Sequence, residues 1–267
     1  MVPWQLTGTA GRIGSLTIGE ALACKQVELD SEGRGWLDPA QPDPALSALW
    51  SHIEPLLRTD APNWLILPYS ERNQADWWQA RAGHAAEVLF GRASAALALR
   101  QMGRLGVAGR LIAADAPMQQ ALPVQAVMAV DMTPAEQGLV FELTELDGRL
   151  DGKTDVGALI ALGQDVTRRP EALFCPGNSG DDVERLLPFL GQLGEWAGPD
   201  VRWEFPEAPL GYLGVVGSLF TWAWVEAGYR LGDYQAPLVL LEMDKSPLVG
   251  LVVVRHEGDS GGRNLLT

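Results

Sequence analysis

Short apolar runs bounded by glycine and proline alternate along this chain with longer segments whose apolar residues recur every three or four positions, the pattern of an α/β protein. Trp4 to Gly14 reads as a strand followed by a glycine-rich turn, and residues 30–44, rich in Gly, Pro and Asp, read as a surface loop. A helix is predicted from Ala45 to Leu57, with Leu46, Leu49, Trp50, Ile53 and Leu57 on one stripe. Trp64–Pro68 is a short run of buried-strand type, and a helical stretch from Asn73 to Ala86 leads into a strand at Val88–Phe90. Ala93–Leu105, small on most faces, suits a helix buried on several sides. Gly106 and Gly109 end it before the strand Arg110–Ala114, and a proline-marked loop follows, up to the alternating strand Gly138–Leu146.

The second half repeats this order. A helix at Val156–Gln164 precedes the strand Ala172–Cys175, a Gly/Asn/Ser turn and a helix at Asp181–Leu193. Val201–Phe205 is strand-like, Leu213–Leu231 is a long apolar helix, and Pro237–Glu242 with Leu248–Arg255 predict an antiparallel pair. The small-residue helices of the two halves begin near Gly91 and Gly211, 120 residues apart, which points to a duplicated α/β architecture. The division expected is an N-terminal half at residues 1–148, a C-terminal half at 149–256 and a flexible tail at 257–267.

With 267 residues and 47% hydrophobic content, the chain can bury a full core without disulfides or metals. It holds no apolar run long enough for a membrane span and no secretory signal pattern at its start. Cys24 and Cys175 fit no metal-ligand spacing, so a cytoplasmic protein without metal or cofactor is expected. A net charge of −14 excludes nucleic acid as a partner in the absence of a strong local basic strip, and none is present.

The order of elements resembles the thiolase-like fold of β-ketoacyl synthases, five αβαβα layers built from two βαβαβαββ halves. The segment Pro209–Arg255 is similar to the ketosynthase stretch in which a glycine–histidine pair precedes an apolar helix and two closing strands. Gly211, Val215, Val216 and Gly217 fall at its small-residue positions. Phe174–Glu184 resembles the strand and turn that carry the family's other histidine, and Ala93–Ala114 the helix and strand behind its nucleophile. Condensing enzymes of this kind place a thiolate at a helix N-terminus, with two donors or bases beside it. The resemblance puts the nucleophile position here at Leu89 or Phe90 and the two histidine positions at Pro176 and Tyr212. None of these can do that work, since proline lacks even a backbone N–H and tyrosine is a poor base near neutral pH.

The resemblance therefore implies a pseudoenzyme that acts by association, as a homo- or heterodimer with another thiolase-like protein. The strand beside the nucleophile would form the interface, at Val88–Phe90 or Trp64–Pro68, with Trp64, Trp77, Trp78, Val88, Leu89 and Phe90 as candidate contacts. An accessory or chaperone-like role for a secreted (type VI) effector is one expectation and the inactive subunit of a thiolase-like pair another. The alternatives are a chain-length-factor-like protein, or an acyltransferase or ketosynthase of fatty acid or polyketide metabolism using an unusual nucleophile such as Cys175.

Other signals have plainer explanations. Cys175 ends a strand before Pro176 with no histidine nearby, as a buried small apolar residue would. Gly258–Gly262 (GDSGG) matches the serine-protease nucleophile string but sits in the tail. Thr7–Gly14 approaches the cofactor loop of a nucleotide-binding oxidoreductase, with Arg12 at a required glycine position. His84 has no spaced second ligand. Trp222 and Trp224 point to different faces of their helix, which must then be buried nearly all round.

Overall fold

The computed structural model describes residues 2–23, 45–116, 124–148, 155–164, 166, 169–177, 197–198, 200–244 and 247–258. Its strands are β1 (Trp4–Ile13), β2 (Leu16–Thr17), β3 (Asn63–Leu67), β4 (Glu87–Phe90), β5 (Gly109–Asp115), β6 (Ala126–Pro134), β7 (Gly138–Gly148), β8 (Ala172–Phe174), β9 (Arg202–Glu204), β10 (Leu238–Glu242) and β11 (Leu248–Glu257). The helices among the described residues are α1 (Ile18–Ala23), α2 (Ala45–Ile53), α3 (Ala75–Ala82), α4 (Ser94–Leu105), α5 (Asp155–Gly163) and α6 (Val216–Leu231), with 3-10 turns at Glu54–Leu56 and Tyr69–Gln74.

The strands form the series β4-β3-β5-β6-β1-β7-β11-β10-β8-β9, and β2 pairs with β1. Within this series one topology occurs twice. The five strands β1, β3, β4, β5 and β6 lie in the order third, second, fourth, fifth, first, and so do β7, β8, β9, β10 and β11. In each set the outer two pairings are parallel and the inner two antiparallel. A single residue pair, Trp4 opposite Leu139, joins the sets. The duplication inferred from two similar helix starts is thus present strand by strand.

Helices α4 and α6 run between the two sheets: α4 touches β3 and β5 on one side and β7 and β11 on the other, while α6 lies on β1, β5 and β6. The small side chains of Ala95, Ala96 and Ala98, all buried, let the sheets close on α4. Helices α2 and α3 cover the outer face of the first sheet, and α5 that of the second. The result is the five-layer αβαβα arrangement.

Strands in such layers are buried on both faces and read as continuous apolar runs. Leu238 and Leu240 of β10 join the central core, and Val239 and Leu241 the outer one. Trp64 and Ile66 of β3 face inward, with Leu65 and Leu67 on the outer side. The same burial explains an element missing from the sequence reading. β6 lies where a proline-marked loop was expected, because its first five residues, Ala126 to Val130, are all buried and show no alternation. The predicted loop at 30–44, the helix at 181–193 and the tail beyond residue 258 lie outside the described residues.

Candidate functional site

Helices α4 and α6 begin side by side, and a charged cluster lies between their first turns. Arg92, just ahead of α4, is 1% exposed. Its Nη1 lies 2.6 Å from Oε1 of Glu207 and donates to the Gly214 carbonyl at 3.1 Å. Its Nε lies 3.3 Å from Oε2 of Glu242, and its backbone N–H donates to Asp244 at 2.8 Å.

Glu207 is the hub. Fully buried in the loop before α6, it accepts backbone N–H bonds from Gly177 at 3.2 Å and Leu213 at 3.0 Å. One carboxylate therefore ties together the starts of both central helices and the turn after β8. Glu242, at the end of β10, accepts from Trp222 Nε1 at 2.9 Å and from the Ser218 hydroxyl. The Ser218 hydroxyl also lies 3.2 Å from the Arg92 carbonyl.

Burying ions costs several kcal/mol each unless hydrogen bonds saturate them, roughly the situation built here. Burial alone would pull the Arg92 guanidinium down, but the Glu207 and Glu242 charges hold it above its ordinary value. Burial pushes the Glu242 carboxyl up, opposed by Arg92, Ser218 and Trp222. Asp115, at the end of β5, accepts the Val215 N–H at 3.0 Å. Burial is the main cause that raises its carboxyl to about 7, with Asp244 adding to the effect. Its charge also acts on a neighbouring half-buried phenol. That phenol, Tyr212, is held well above its usual range, chiefly by burial, so it stays a neutral hydrogen-bond donor.

The cluster also dictates a glycine. A Cβ on Gly217 would stand 2.4 Å from both Arg92 Nη1 and Glu207 Oε1, so only glycine lets this pair pass the first turn of α6.

The three positions singled out by sequence converge here. Phe90 ends β4 two residues before Arg92, Pro176 precedes Gly177 and Tyr212 precedes Leu213, so each neighbours a donor to Glu207. Pro176 is buried, while Leu89, Phe90 and Tyr212 are half-buried. Of the candidate interface residues, Trp64 and Trp78 are 3% and 0% exposed and belong to the core. Trp77, Val88, Leu89 and Phe90 retain surface, and β4 is an edge strand. The Cys175 side chain packs in the core on the outer side of the second sheet, away from the start of α4. Thr7–Ile13 lies within β1 rather than in a strand-to-helix turn, and Gly11 serves the close approach of Val127, so the nucleotide-loop reading is set aside. His84 is exposed, and no cluster of metal-ligating side chains occurs among the described residues.

Sequence reasoning missed Arg92, Glu207, Glu242 and Asp115. The available signal was a charge inside an otherwise buried pattern, as at Glu242 closing LVLLE.

At the level of sequence, no family model and no curated protein matches the chain. Solved structures do. The ishigamide ketosynthase/chain length factor superposes with a TM-score of 0.61 at 16% identity, covering 96% of this chain and 100% of that one. ChlB3, an acyltransferase, gives 0.53 at 14% identity over 95% and 97%. Acetamide-bound OleA of Xanthomonas campestris gives 0.53 at 12% identity over 95% and 99%. The chain has the thiolase-like fold. These neighbours correct the expectation of a pseudoenzyme: two of them are named for ketosynthase and acyltransferase activities, so the architecture gives no ground for calling the chain inactive. Nor does any of them bear on a role with secreted effectors. Among the described residues no helix is long and apolar enough to cross a membrane.

Proposed function

We propose that the chain handles acyl thioesters as a condensing or acyl-transferring protein of the ketosynthase/chain-length-factor kind, in fatty acid or polyketide metabolism. The observation that carries this reading is the match to the ishigamide ketosynthase/chain length factor along nearly the whole chain. The chain works as one member of a thiolase-fold pair. Edge strand β4 supports this reading, because its outer backbone groups are unpaired within the sheet and Val88, Leu89 and Phe90 are only partly covered. Within the site, Tyr212 donates to the acyl carbonyl and Asp115 moves a proton beneath it. Cys175 faces the far side of its sheet, so the thiol for any covalent step is assigned to Cys24, which lies outside the described residues, or to the partner chain.

Co-expression with a ketosynthase chain of the same genome, followed by size-exclusion chromatography with light scattering, tests the pairing. A two-chain complex that is thermally stabilised by acyl-pantetheine thioesters is expected. A lone monomer indifferent to those thioesters would overturn the reading.

A further inference from the structure

At the opposite end of α4 from Arg92 the structure holds a cavity of about 470 Å³. Helix α4 has 12 residues, so the two ends are about 18 Å apart at 1.5 Å per residue. This volume lies within the roughly 300–1,000 Å³ typical of small-molecule sites. Its floor is apolar: Trp4, Leu99 and Phe141 line it and are 6%, 4% and 9% exposed. Val2, at its rim, is 57% exposed, and Leu105, beside the rim glycine Gly106, is 67% exposed. Only three large apolar side chains are this exposed among the described residues, and one of them, Val2, lines this cavity.

One charged side chain lines the cavity, that of Arg100. It is half-buried and has no hydrogen-bond or ion-pair partner among the described residues. Arg104, one turn further along α4, adds positive charge beside it. In a chain of net charge −14, a guanidinium with no partner among the described residues, set over an apolar floor, selects a ligand with an anionic head and a hydrocarbon body.

We propose that this cavity binds a single-chain fatty carboxylate, with its alkyl chain on Trp4, Leu99 and Phe141 and its carboxylate on Arg100. The site lies apart from the Arg92–Glu207 cluster and does not depend on the acyl-thioester reading, so either can fail without the other.

Gly103 supplies the decisive variant. It lines the cavity, and a Cβ there meets nothing within 4 Å, so Gly103→Trp adds bulk at the cavity wall from a position where a side chain can start without a clash. Calorimetric titration with octanoate, decanoate and dodecanoate should show affinity rising about threefold to fourfold per methylene, the equivalent of about 0.8 kcal/mol per buried CH₂. Arg100→Gln should weaken decanoate binding about tenfold, as loss of a charge-assisted hydrogen bond would, and leave decanol binding unchanged. Gly103→Trp should abolish binding of both in a chain whose circular dichroism and cooperative unfolding show it folded. The absence of decanoate binding to the wild type, or binding indifferent to Gly103→Trp, would overturn the proposal. So would a self-association that Gly103→Trp abolishes, since the mouth would then be an interface between copies.

Discussion

Replacing Arg92 by methionine removes the one cation from a cluster that keeps two glutamates buried. The guanidinium contacts Glu207 at 2.6 Å and Glu242 at 3.3 Å and donates to the Gly214 carbonyl at 3.1 Å. Arg92→Met leaves Glu207 and Glu242, 0% and 1% exposed, without their counter-ion. Breaking a buried pair from one side costs about 3–5 kcal/mol, a large part of the roughly 5–15 kcal/mol that holds a domain folded. For a chain of this size each kcal/mol lowers the melting temperature by about 2–4 °C, so a fall of about 6–20 °C is expected at pH 8. Urea unfolding followed by tryptophan fluorescence measures the loss directly. The deficit should shrink as pH falls, because protonating the stranded Glu242 carboxyl, which burial already pushes up, relieves it. Adding Glu242→Gln should recover part of it, leaving the double variant more stable than the sum of the single effects by about 1 kcal/mol or more. A loss below about 1 kcal/mol, or strict additivity, would refute the idea that this charge pair holds the helix starts together.

Asp115→Asn should change the pH dependence. The folded carboxyl is raised to about 7 against about 3.9 when unfolded. Between those values the folded state therefore binds more protons, and stability falls as pH rises through that window. The asparagine variant should lose that slope and exceed the wild type in melting temperature at pH 8; an unchanged profile counts against the burial argument. Gly217→Ala should cost about 2–4 kcal/mol, the price of intruding on a buried ion pair, with unfolding in urea as the readout. Gly103→Ala, in the last turn of α4 and unobstructed, should stabilise by up to about 0.5–1 kcal/mol; a loss of melting temperature would mean that the helix face is covered.

Most of the layering was legible from hydrophobic pattern alone. Runs such as Trp64–Leu67 and Leu238–Leu241 are apolar at every position because both faces are covered, and an alanine-rich helix like α4 fits only between two sheets. Strand β6 was not legible, since Ala126–Val130 has the composition of any buried segment and lies between prolines at 123 and 134. The site was half legible. Family resemblance led to Phe90, Pro176 and Tyr212, and the structure places these loops around Glu207. The resemblance carries no pattern for Glu207 itself, whose partners are backbone N–H groups of residues 6 and 30 positions away in sequence. Of the tryptophans offered as contacts, Trp64 and Trp78 are buried, Trp78 satisfying its indole N–H through Glu71 at 3.2 Å, while Trp77 keeps some surface.

The direct measurement of acyl chemistry is mass-spectrometric detection of transferred or condensed acyl product when the purified chain and its thiolase-fold partner are given acyl- and malonyl-thioesters. Product that forms with both chains and drops when Tyr212→Phe or Asp115→Asn replaces the wild type is predicted. Thioesters returned unchanged by a correctly assembled pair, or turnover that ignores this chain altogether, would contradict it.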